Sequence, residues 1–269
     1  MSPEYKKLLN EDGIIVIKNL LTKEEISILR NEAEKNSLKN DFFSLSILGK
    51  NIATRIIKFL DEEIGTGYYY IGESHAAYNS TDNARVWHKD LRGDFSKENN
   101  PLNILRALIY LQDHKNYSYG TKIIKKSHKQ TLYPFWSIKY FIKTLLETIV
   151  LLKKGNINYK NLAPVNIFKA TNLEVEPGDI AIWSLNIIHS GNYVRLKIFP
   201  NLVLPVFLDK FLDKYLKKFI KIDETKRAIV SFTFGKKCLT TTNYISERIS
   251  KNSIPSNYLS SNFNHNSLS

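Results

Sequence analysis

The stretch LEVEPGDIAIWSLNIIHSGNYV, residues 173–194, decides the fold class of this chain. Pro177 and Gly178 predict a turn, and the apolar runs on its two sides predict strands. The second run ends in His189, which Ser, Gly and Asn follow. Along the whole chain, strand-like runs do not alternate regularly with helical patterns, which argues against a doubly wound parallel sheet. The sequence therefore predicts a mainly β fold with flanking helices.

A second stretch, ARVWHKDLRGD at residues 84–94, carries two further polar groups of interest. It has the bulk of a strand, in which successive side chains point to opposite faces. His88 and Asp90 therefore share one face, whereas Lys89 points away. Because most histidines near a strand are satisfied by ordinary hydrogen bonds, this pair indicates a metal site only if a third ligand exists.

His189 supplies the third group. Two imidazoles and one carboxylate on one face suit non-haem Fe(II) and leave three cis positions open for a bidentate ligand and dioxygen. The strand TKRAIVSFTFG at 225–235 adds Arg227, a planar cation that can grip a carboxylate through two hydrogen bonds. Arg195 is the alternative carboxylate ligand, although no strand pattern follows it. Together these residues predict a pocket for a dicarboxylic keto acid.

Composition limits the class of protein. A chain of 269 residues with 43% hydrophobic content can bury a large core. The single cysteine, Cys238, excludes an internal disulfide framework and a cysteine-rich zinc site. The charged N-terminal stretch MSPEYKKLLNEDG lacks the apolar core of a secretion signal, so we expect a cytoplasmic location.

The formal net charge of +13 favours anionic partners. Lysines occur along the whole chain, so we expect much of the excess on solvated faces. No helix-turn-helix or aromatic RNA-binding strand accompanies the charge, and we expect no nucleic-acid partner. The expected substrate is therefore a small anionic molecule or a carrier-bound acyl group.

The chain divides into one large domain, residues 1–249, and a tail at 250–269 rich in Ser and Asn, a composition that buries little surface. The domain opens with a helical preface, in which Thr22 caps a helix and Glu25 completes a capping box. Residues 133–154 predict an apolar helix that charged residues interrupt too often for a membrane span.

An amphipathic helical insertion is predicted near residues 197–222. Such a helix can dock on the core, cover a site as a lid, or lie on an anionic membrane, and we favour docking or a lid. Its large apolar residues form two rows at helical spacing: Phe207, Phe211, Tyr215 and Phe219, then Leu208, Leu212, Leu216 and Ile220.

These blocks, in this order, resemble the phytanoyl-CoA dioxygenase-like branch of the Fe(II)/2-oxoglutarate-dependent oxygenases. The resemblance runs from EDGIIVIKNLLTKEEI through WHKD to VEPGDIAIWSLNIIHSGN and KRAIVSFTFG. It implies a double-stranded β-helix (jelly-roll, cupin-like) core, with Fe(II) on His88, Asp90 and His189. It also implies that Arg227 binds the distal carboxylate of 2-oxoglutarate. Candidates for secondary 2-oxoglutarate contacts are Asn79, Thr121 and Ser190.

The resemblance implies a reaction as well as a fold. Such enzymes use O2 and 2-oxoglutarate to hydroxylate an unactivated C–H bond, with succinate and CO2 as coproducts. Asp90 favours hydroxylation because related halogenases have a small residue there; desaturation and ring closure remain open. The chain departs from the family at KKSHK (125–129), where a Pro-Gly-Ser-His turn is usual. Arg227 also follows His189 by an unusually long 38 residues, which we attribute to the insertion.

Two hypotheses of other classes remain open. The first is a noncatalytic jelly-roll binding protein, and the second is a membrane-associated module that uses the basic amphipathic insertion. Retention of all four chemical positions argues against the first, because packing a sheet requires no such set. The second is compatible with catalysis.

Overall fold

Helix and strand positions come from a computed structural model. It describes residues 3–36, 42–78, 87–91, 100–114, 116–129, 169–191, 194–199, 202, 206–221, 228–251 and 254. The helices are α1 (Pro3–Asp12), α2 (Lys23–Lys35), α3 (Phe42–Leu45), α4 (Ile47–Phe59), α5 (Val206–Tyr215) and α6 (Leu239–Ser250). A π-helical turn, Leu60–Ile64, follows α4. The predicted helix at 133–154 and residues 255–269 of the predicted tail lie outside the described residues.

In the described part of the chain, eight strands form two antiparallel sheets. The strands are β1 (Ile14–Ile17), β2 (Tyr68–Tyr78), β3 (Ile104–Tyr110), β4 (Thr121–Ile124), β5 (Thr171–Asn172), β6 (Ile180–Ser184), β7 (Ile188–Gly191) and β8 (Ala228–Lys236). The large sheet has the order β1-β6-β3-β8-β2, and the small sheet has the order β5-β4-β7. His88 extends the small sheet through an antiparallel bridge to His189. The predicted jelly-roll class, mainly β with flanking helices, is confirmed.

Side-chain alternation in the large sheet separates two apolar layers. On β3, Leu105, Ala107 and Ile109 pack into the larger core cluster, which includes residues of α1, α2 and α4. Leu108 and Tyr110 point the other way, into a cluster that also holds Ile123 of the small sheet. Because strand residues alternate between faces, this parity identifies which side chains face the gap between the sheets.

The capping box predicted for the second helix is present. The Thr22 side chain accepts a hydrogen bond from the Glu25 amide, and the Glu25 carboxylate accepts one from the Thr22 amide, at 3.2 and 2.9 Å. The predicted Pro-Gly turn also forms, with Gly178 at φ +89°. A Cβ at this glycine would lie 2.9 Å from Ile26, so the turn packs directly against α2.

The helix in the insertion between β7 and β8 is shorter than the sequence predicts. The helix α5 ends at Tyr215, and a 3-10 turn at Lys217–Phe219 replaces the expected continuation. The segment then returns to its own start, because Leu196 and Ile220 form an antiparallel bridge. None of the described helices is long and apolar enough to cross a membrane.

Candidate metal centre

The backbone of the small sheet brings His88, Asp90 and His189 together. The amides of the two histidines donate to each other's carbonyl oxygens, both at 3.0 Å. Two residues after His88, the amide of Asp90 donates to the carbonyl oxygen of Leu185 at 3.1 Å. Residues 88–90 are thereby held beside β7, with both predicted ligand stretches at one edge of the sheet.

The three side chains converge on a small volume. Nε2 of His88 lies 3.6 Å from Oδ1 of Asp90, and Nε2 of His189 lies 3.8 Å from Oδ2. The two imidazole centroids are 4.3 Å apart. Within the described residues, each of the three offers one ligand atom, and all of these atoms lie within 4.8 Å of one another. The structure therefore brings the three predicted ligand residues together.

Hydrogen bonding and burial set the protonation of the histidine on β7. Nδ1 of His189 lies 3.2 Å from the carbonyl oxygen of Ile187, to which it can donate, and this leaves Nε2 facing Asp90. Burial lowers the pKa of His189 to about 4 against the opposing attraction of Asp90. The imidazole is therefore neutral at pH 7, which is the form that binds metals.

Asp90 is ionised although it lies in a nearly buried position. Burial alone would raise its pKa, but Arg106 and the two imidazoles outweigh burial and lower the pKa far below its ordinary value. Nη1 of Arg106 lies 3.2 Å from Oδ2 of Asp90. That oxygen has no well-aligned hydrogen-bond donor among the described residues. Asp90 thus presents a charged oxygen to the volume between the histidines.

Arg106 belongs to a buried polar network that the sequence interpretation missed. Its Nη2 donates to Oε2 of Glu73 at 2.8 Å, and Thr233 and Tyr244 donate to the same oxygen at 2.9 and 2.6 Å. Nε of Arg248 lies 3.3 Å from the other oxygen of Glu73. The network connects α6 to the candidate metal ligand through two buried ion pairs.

A sequence signal for Arg106 did exist. It is the one charged residue in the seven-residue strand ILRALIY, whose positions are all buried. A charge in such a strand is costly unless it is paired. Its parity also places it on the same face as Leu108 and Tyr110, toward the gap between the sheets. Its partner, Glu73, lies on β2, and only the pairing of β2 and β3 with β8 brings the two side chains together.

Only some of the predicted 2-oxoglutarate contacts lie in the described part of the chain. Arg227 and Asn79 lie outside the described residues. Thr121 faces the gap and accepts a hydrogen bond from the Tyr110 hydroxyl at 3.0 Å. Ser190 is paired with Lys122, whereas His189 is paired with Ile123 of the inter-sheet cluster. The structure therefore places Ser190 on the face of β7 opposite to His189, away from the three predicted ligands.

The tryptophans and the other described histidines take structural positions. Trp183 belongs to the inter-sheet cluster, with its ring centroid 5.4 Å from that of His189, and Trp87 is buried. His75 shares a hydrogen bond with Ser231 at 2.9 Å. His114 is fully buried against the Tyr110 ring and is not at the surface. Both tryptophans are therefore core residues.

The KKSHK segment has a structural role. The Ser127 hydroxyl accepts a hydrogen bond from the Ile188 amide at 2.8 Å, which fixes the strand residue next to His189. His128 places Nε2 at 3.2 Å from the Asn10 carbonyl oxygen and packs against Gly13. A Cβ at Gly13 would lie 2.3 Å from the imidazole, so this contact requires glycine. These two residues anchor α1 and β7 to the same turn.

Acid should destabilise the fold partly through His128. Burial lowers its pKa from 6.5 to about 4, so between these values the unfolded chain holds more protons than the folded one. The part of the free energy of unfolding that this pKa difference supplies is complete above pH 6.5 and is lost as the pH falls toward 4. His128→Gln retains a donor for the Asn10 carbonyl. We expect this variant to lose about 1–3 kcal/mol less unfolding free energy than wild type on acidification. Urea unfolding at pH 7.5 and pH 5 measures this difference; equal acid losses in both proteins would contradict it.

The fold is shared with solved structures of 2-oxoglutarate-binding proteins. No family model and no curated protein matches the sequence. HygX from Streptomyces hygroscopicus, solved with nickel, 2-oxoglutarate and hygromycin B, is 14% identical with a TM-score of 0.56, covering 88% of each chain. The chain has the fold of HygX. SnoN, a non-haem alpha-ketoglutarate-dependent epimerase from nogalamycin biosynthesis, is 13% identical with a TM-score of 0.53, covering 87% of this chain and 82% of SnoN.

EctD from S. alaskensis, solved with bound iron, is 13% identical with a TM-score of 0.53. That match covers 88% of this chain and 77% of EctD. Iron, nickel and 2-oxoglutarate are thus bound by proteins of this fold, and a His-Asp-His cluster is present in this chain.

The three side chains fit a first-row transition metal. Metal bonds to nitrogen and oxygen of about 2.0–2.2 Å place neighbouring ligand atoms about 3 Å apart. The observed separations of 3.6 and 3.8 Å would close to that value with small side-chain rotations. The neutral His189 and the ionised Asp90, with one buried oxygen lacking an aligned donor, supply the donor atoms that such an ion requires.

Proposed function

We propose that this protein is an Fe(II)/2-oxoglutarate-dependent dioxygenase of the phytanoyl-CoA dioxygenase-like type, acting as a hydroxylase on a small molecule. The observation that carries this proposal is the cluster of His88, Asp90 and His189 at one edge of a jelly-roll sheet. Proteins of the same fold bind iron or nickel and 2-oxoglutarate, which supports both cofactors. A single domain over 1–249 and a cytoplasmic location remain predictions from the sequence.

The chain's own residues have distinct tasks in this proposal. His88 and His189 would hold Fe(II) through imidazole nitrogens, and Asp90 would hold it through a carboxylate oxygen. The bound iron would supply oxidation of a substrate C–H bond by O2, coupled to conversion of 2-oxoglutarate to succinate and CO2. Arg106 keeps Asp90 charged and oriented toward the two histidines. The surrounding strands shield Asp90 and His189, each 10% exposed, from water, whereas His88 is 29% exposed.

Arg227 is the proposed ligand of the distal 2-oxoglutarate carboxylate. Arg227 itself lies outside the described residues, and its role rests on the family resemblance and on the strand pattern that follows it in the sequence. Arg195, the alternative, is already engaged by the protein. Its Nη2 donates to Glu174 at 2.8 Å, and its amide donates to Ser118 at 2.7 Å.

Arg227→Leu should raise the KM for 2-oxoglutarate about tenfold to a hundredfold, because two charge-assisted hydrogen bonds are lost. Arg195→Leu is the matched control, and it should lower the melting temperature while leaving this KM nearly unchanged. Initial rates of succinate formation over a range of 2-oxoglutarate concentrations give both constants. A rise of KM in the Arg195 variant alone would transfer the role to Arg195.

The substrate proposed is a small anionic or carrier-linked molecule. The net charge of +13 supports this class through long-range attraction. Hydroxylation adds one oxygen atom to the substrate, whereas epimerisation, the activity named for SnoN, leaves its mass unchanged. Mass spectrometry of the product therefore separates the proposed reaction from other outcomes on the same fold.

Succinate release tests the proposed function directly. Protein loaded with Fe(II) is supplied with 2-oxoglutarate and O2, and a panel of metabolites is screened for those that stimulate succinate formation. We expect O2-dependent succinate formation that metal chelation abolishes. No succinate from any mixture, with intact protein and bound iron, would favour the noncatalytic binding protein.

A further inference from the structure

The insertion carries a concentration of exposed apolar side chains. The name insertion surface is used below for ten exposed side chains of this segment: Lys197, Ile198, Phe199, Leu202, Phe211, Lys214, Tyr215, Lys217, Lys218 and Phe219. Six of the twelve large exposed apolar side chains in the described part of the chain belong to it. Ile198, Phe199 and Tyr215 are 73%, 63% and 60% exposed. Exposed apolar side chains concentrated in one segment in this way mark an interaction site.

Lysines accompany the apolar side chains of the insertion surface. Nζ of Lys214 lies 4.8 Å from the centroid of the Tyr215 ring, and Nζ of Lys218 lies 5.0 Å from that of Phe219. Each lysine thus places its ammonium over an aromatic ring, within cation–π range. This pairing of ring and cation suits a boundary between an apolar layer and an anionic one.

Three lysines of the insertion surface, together with Lys221, line an open pocket. It has a volume of about 670 Å³, and its lining includes Lys197, Lys217, Lys218, Lys221 and Tyr117. Residues 196–221 contain six lysines against two aspartates, Asp209 and Asp213. The aspartate side chains lie outside the described set. Phosphate groups have the charge and size that four lysines around such a pocket would accept.

The insertion surface is held on the β-domain as a unit. At its base, the Lys197 amide donates to the Phe219 carbonyl and the Lys221 amide to the Arg195 carbonyl, both at 2.9 Å. The Ser118 amide, from the β3–β4 connection, donates to the Lys221 carbonyl at 2.9 Å. Ile220 between them is buried. These backbone hydrogen bonds therefore tie the base of the insertion to the β-domain.

We propose that the insertion surface docks this protein on an anionic lipid bilayer. Phe199, Phe211 and Tyr215 enter the boundary between headgroups and acyl chains, and the lysine-lined pocket receives headgroup phosphates. The complementary charge of the lysines selects an anionic membrane surface over a neutral one, and the apolar side chains select a bilayer over a soluble polyanion. The attachment is peripheral.

Vesicle cosedimentation of the full chain tests this proposal without iron or 2-oxoglutarate, so its outcome is independent of the proposed oxygenase activity. Vesicles of phosphatidylcholine alone are compared with vesicles that also contain phosphatidylglycerol. Wild-type protein should partition to the anionic vesicles and hardly to the neutral ones. Its partitioning should weaken as salt is added, because the lysines lie near the surface of the protein.

Two triple variants separate the contributions. Lys197→Gln/Lys217→Gln/Lys218→Gln should lower the partition coefficient about a hundredfold, since each surface lysine contributes about fivefold. Phe199→Ser/Phe211→Ser/Tyr215→Ser should lower it at least about tenfold. Matched controls are exposed lysines and apolar residues elsewhere: Lys6→Gln/Lys7→Gln/Lys23→Gln and Leu45→Ser/Ile47→Ser/Leu239→Ser.

The proposal holds if the insertion variants lose binding, the controls keep most of it, and all proteins retain the wild-type melting temperature. Equal partitioning to neutral and anionic vesicles would overturn it. So would equal losses in the controls, which would show attraction by net charge alone. Binding to heparin or single-stranded DNA with none to anionic vesicles would also overturn it in favour of a soluble polyanion.

Discussion

Replacing Arg106 with methionine should destabilise the fold by about 3–5 kcal/mol, because it leaves Glu73 and Asp90 as buried carboxylates without their shared cation. Arg106 lies 2.8 Å from Glu73 and 3.2 Å from Asp90. Denaturant unfolding of the metal-free protein measures the loss. The matched control is Lys125→Met, which removes the cation of a more exposed pair with Asp12 and should cost at most about 1 kcal/mol.

The double variant Arg106→Met/Glu73→Gln sharpens this test. Much of the cost of the single change comes from the charge left behind on Glu73, so neutralising that carboxylate should recover part of the stability. Iron affinity should not recover, since Asp90 still lacks the guanidinium that orients it, and loss of such an outer partner weakens metal binding about 10–100-fold. Strictly additive losses of stability would contradict the network.

Asp90→Asn should weaken Fe(II) binding and succinate formation by more than about a hundredfold, since it removes a ligand and not only an outer partner of the metal. The amide keeps the shape of the side chain but loses the charge that Arg106 and the two histidines surround. Equilibrium titration with Fe(II) under anaerobic conditions gives the affinity.

Asp61→Asn provides the matched control for this change. Asp61 accepts a hydrogen bond from the Gly67 amide at the end of the π-helical turn, among the helices that flank the sheet. The Asp61→Asn protein should bind Fe(II) with the wild-type affinity. If Asp90→Asn retained wild-type iron affinity, the role of Asp90 as a ligand would have to be abandoned.

The parts of the site that sequence could predict are those with a local pattern. His88 and Asp90 are two residues apart and His189 lies in an apolar run, so the three can be named from local spacing. The strand predicted around His88 is reduced to a single bridge to His189 in the structure. Thr22 and Glu25 likewise follow a local capping rule. The sheet order was accessible only through the family resemblance.

The parts that sequence could not predict depend on distant packing. Glu73 meets Arg106 because β8 lies between β2 and β3 in the large sheet, and it meets Tyr244 because α6 packs nearby. The face on which Ser190 lies depends on the register that pairs it with Lys122, which no local pattern reveals. The apolar rows of the insertion continue to Ile220 and predict a longer helix than α5. The helix ends at Tyr215 because the chain turns back, so that Ile220 pairs with Leu196 at the base of the insertion.

The visible spectrum of the anaerobic protein with Fe(II) and 2-oxoglutarate tests the central claim most directly, because it requires both cofactors to meet at the cluster of His88, Asp90 and His189. We predict a weak charge-transfer band in the wild-type protein and in the tail variant His265→Ala, and no such band in His88→Ala. The same spectrum from wild type and His88→Ala would contradict the account.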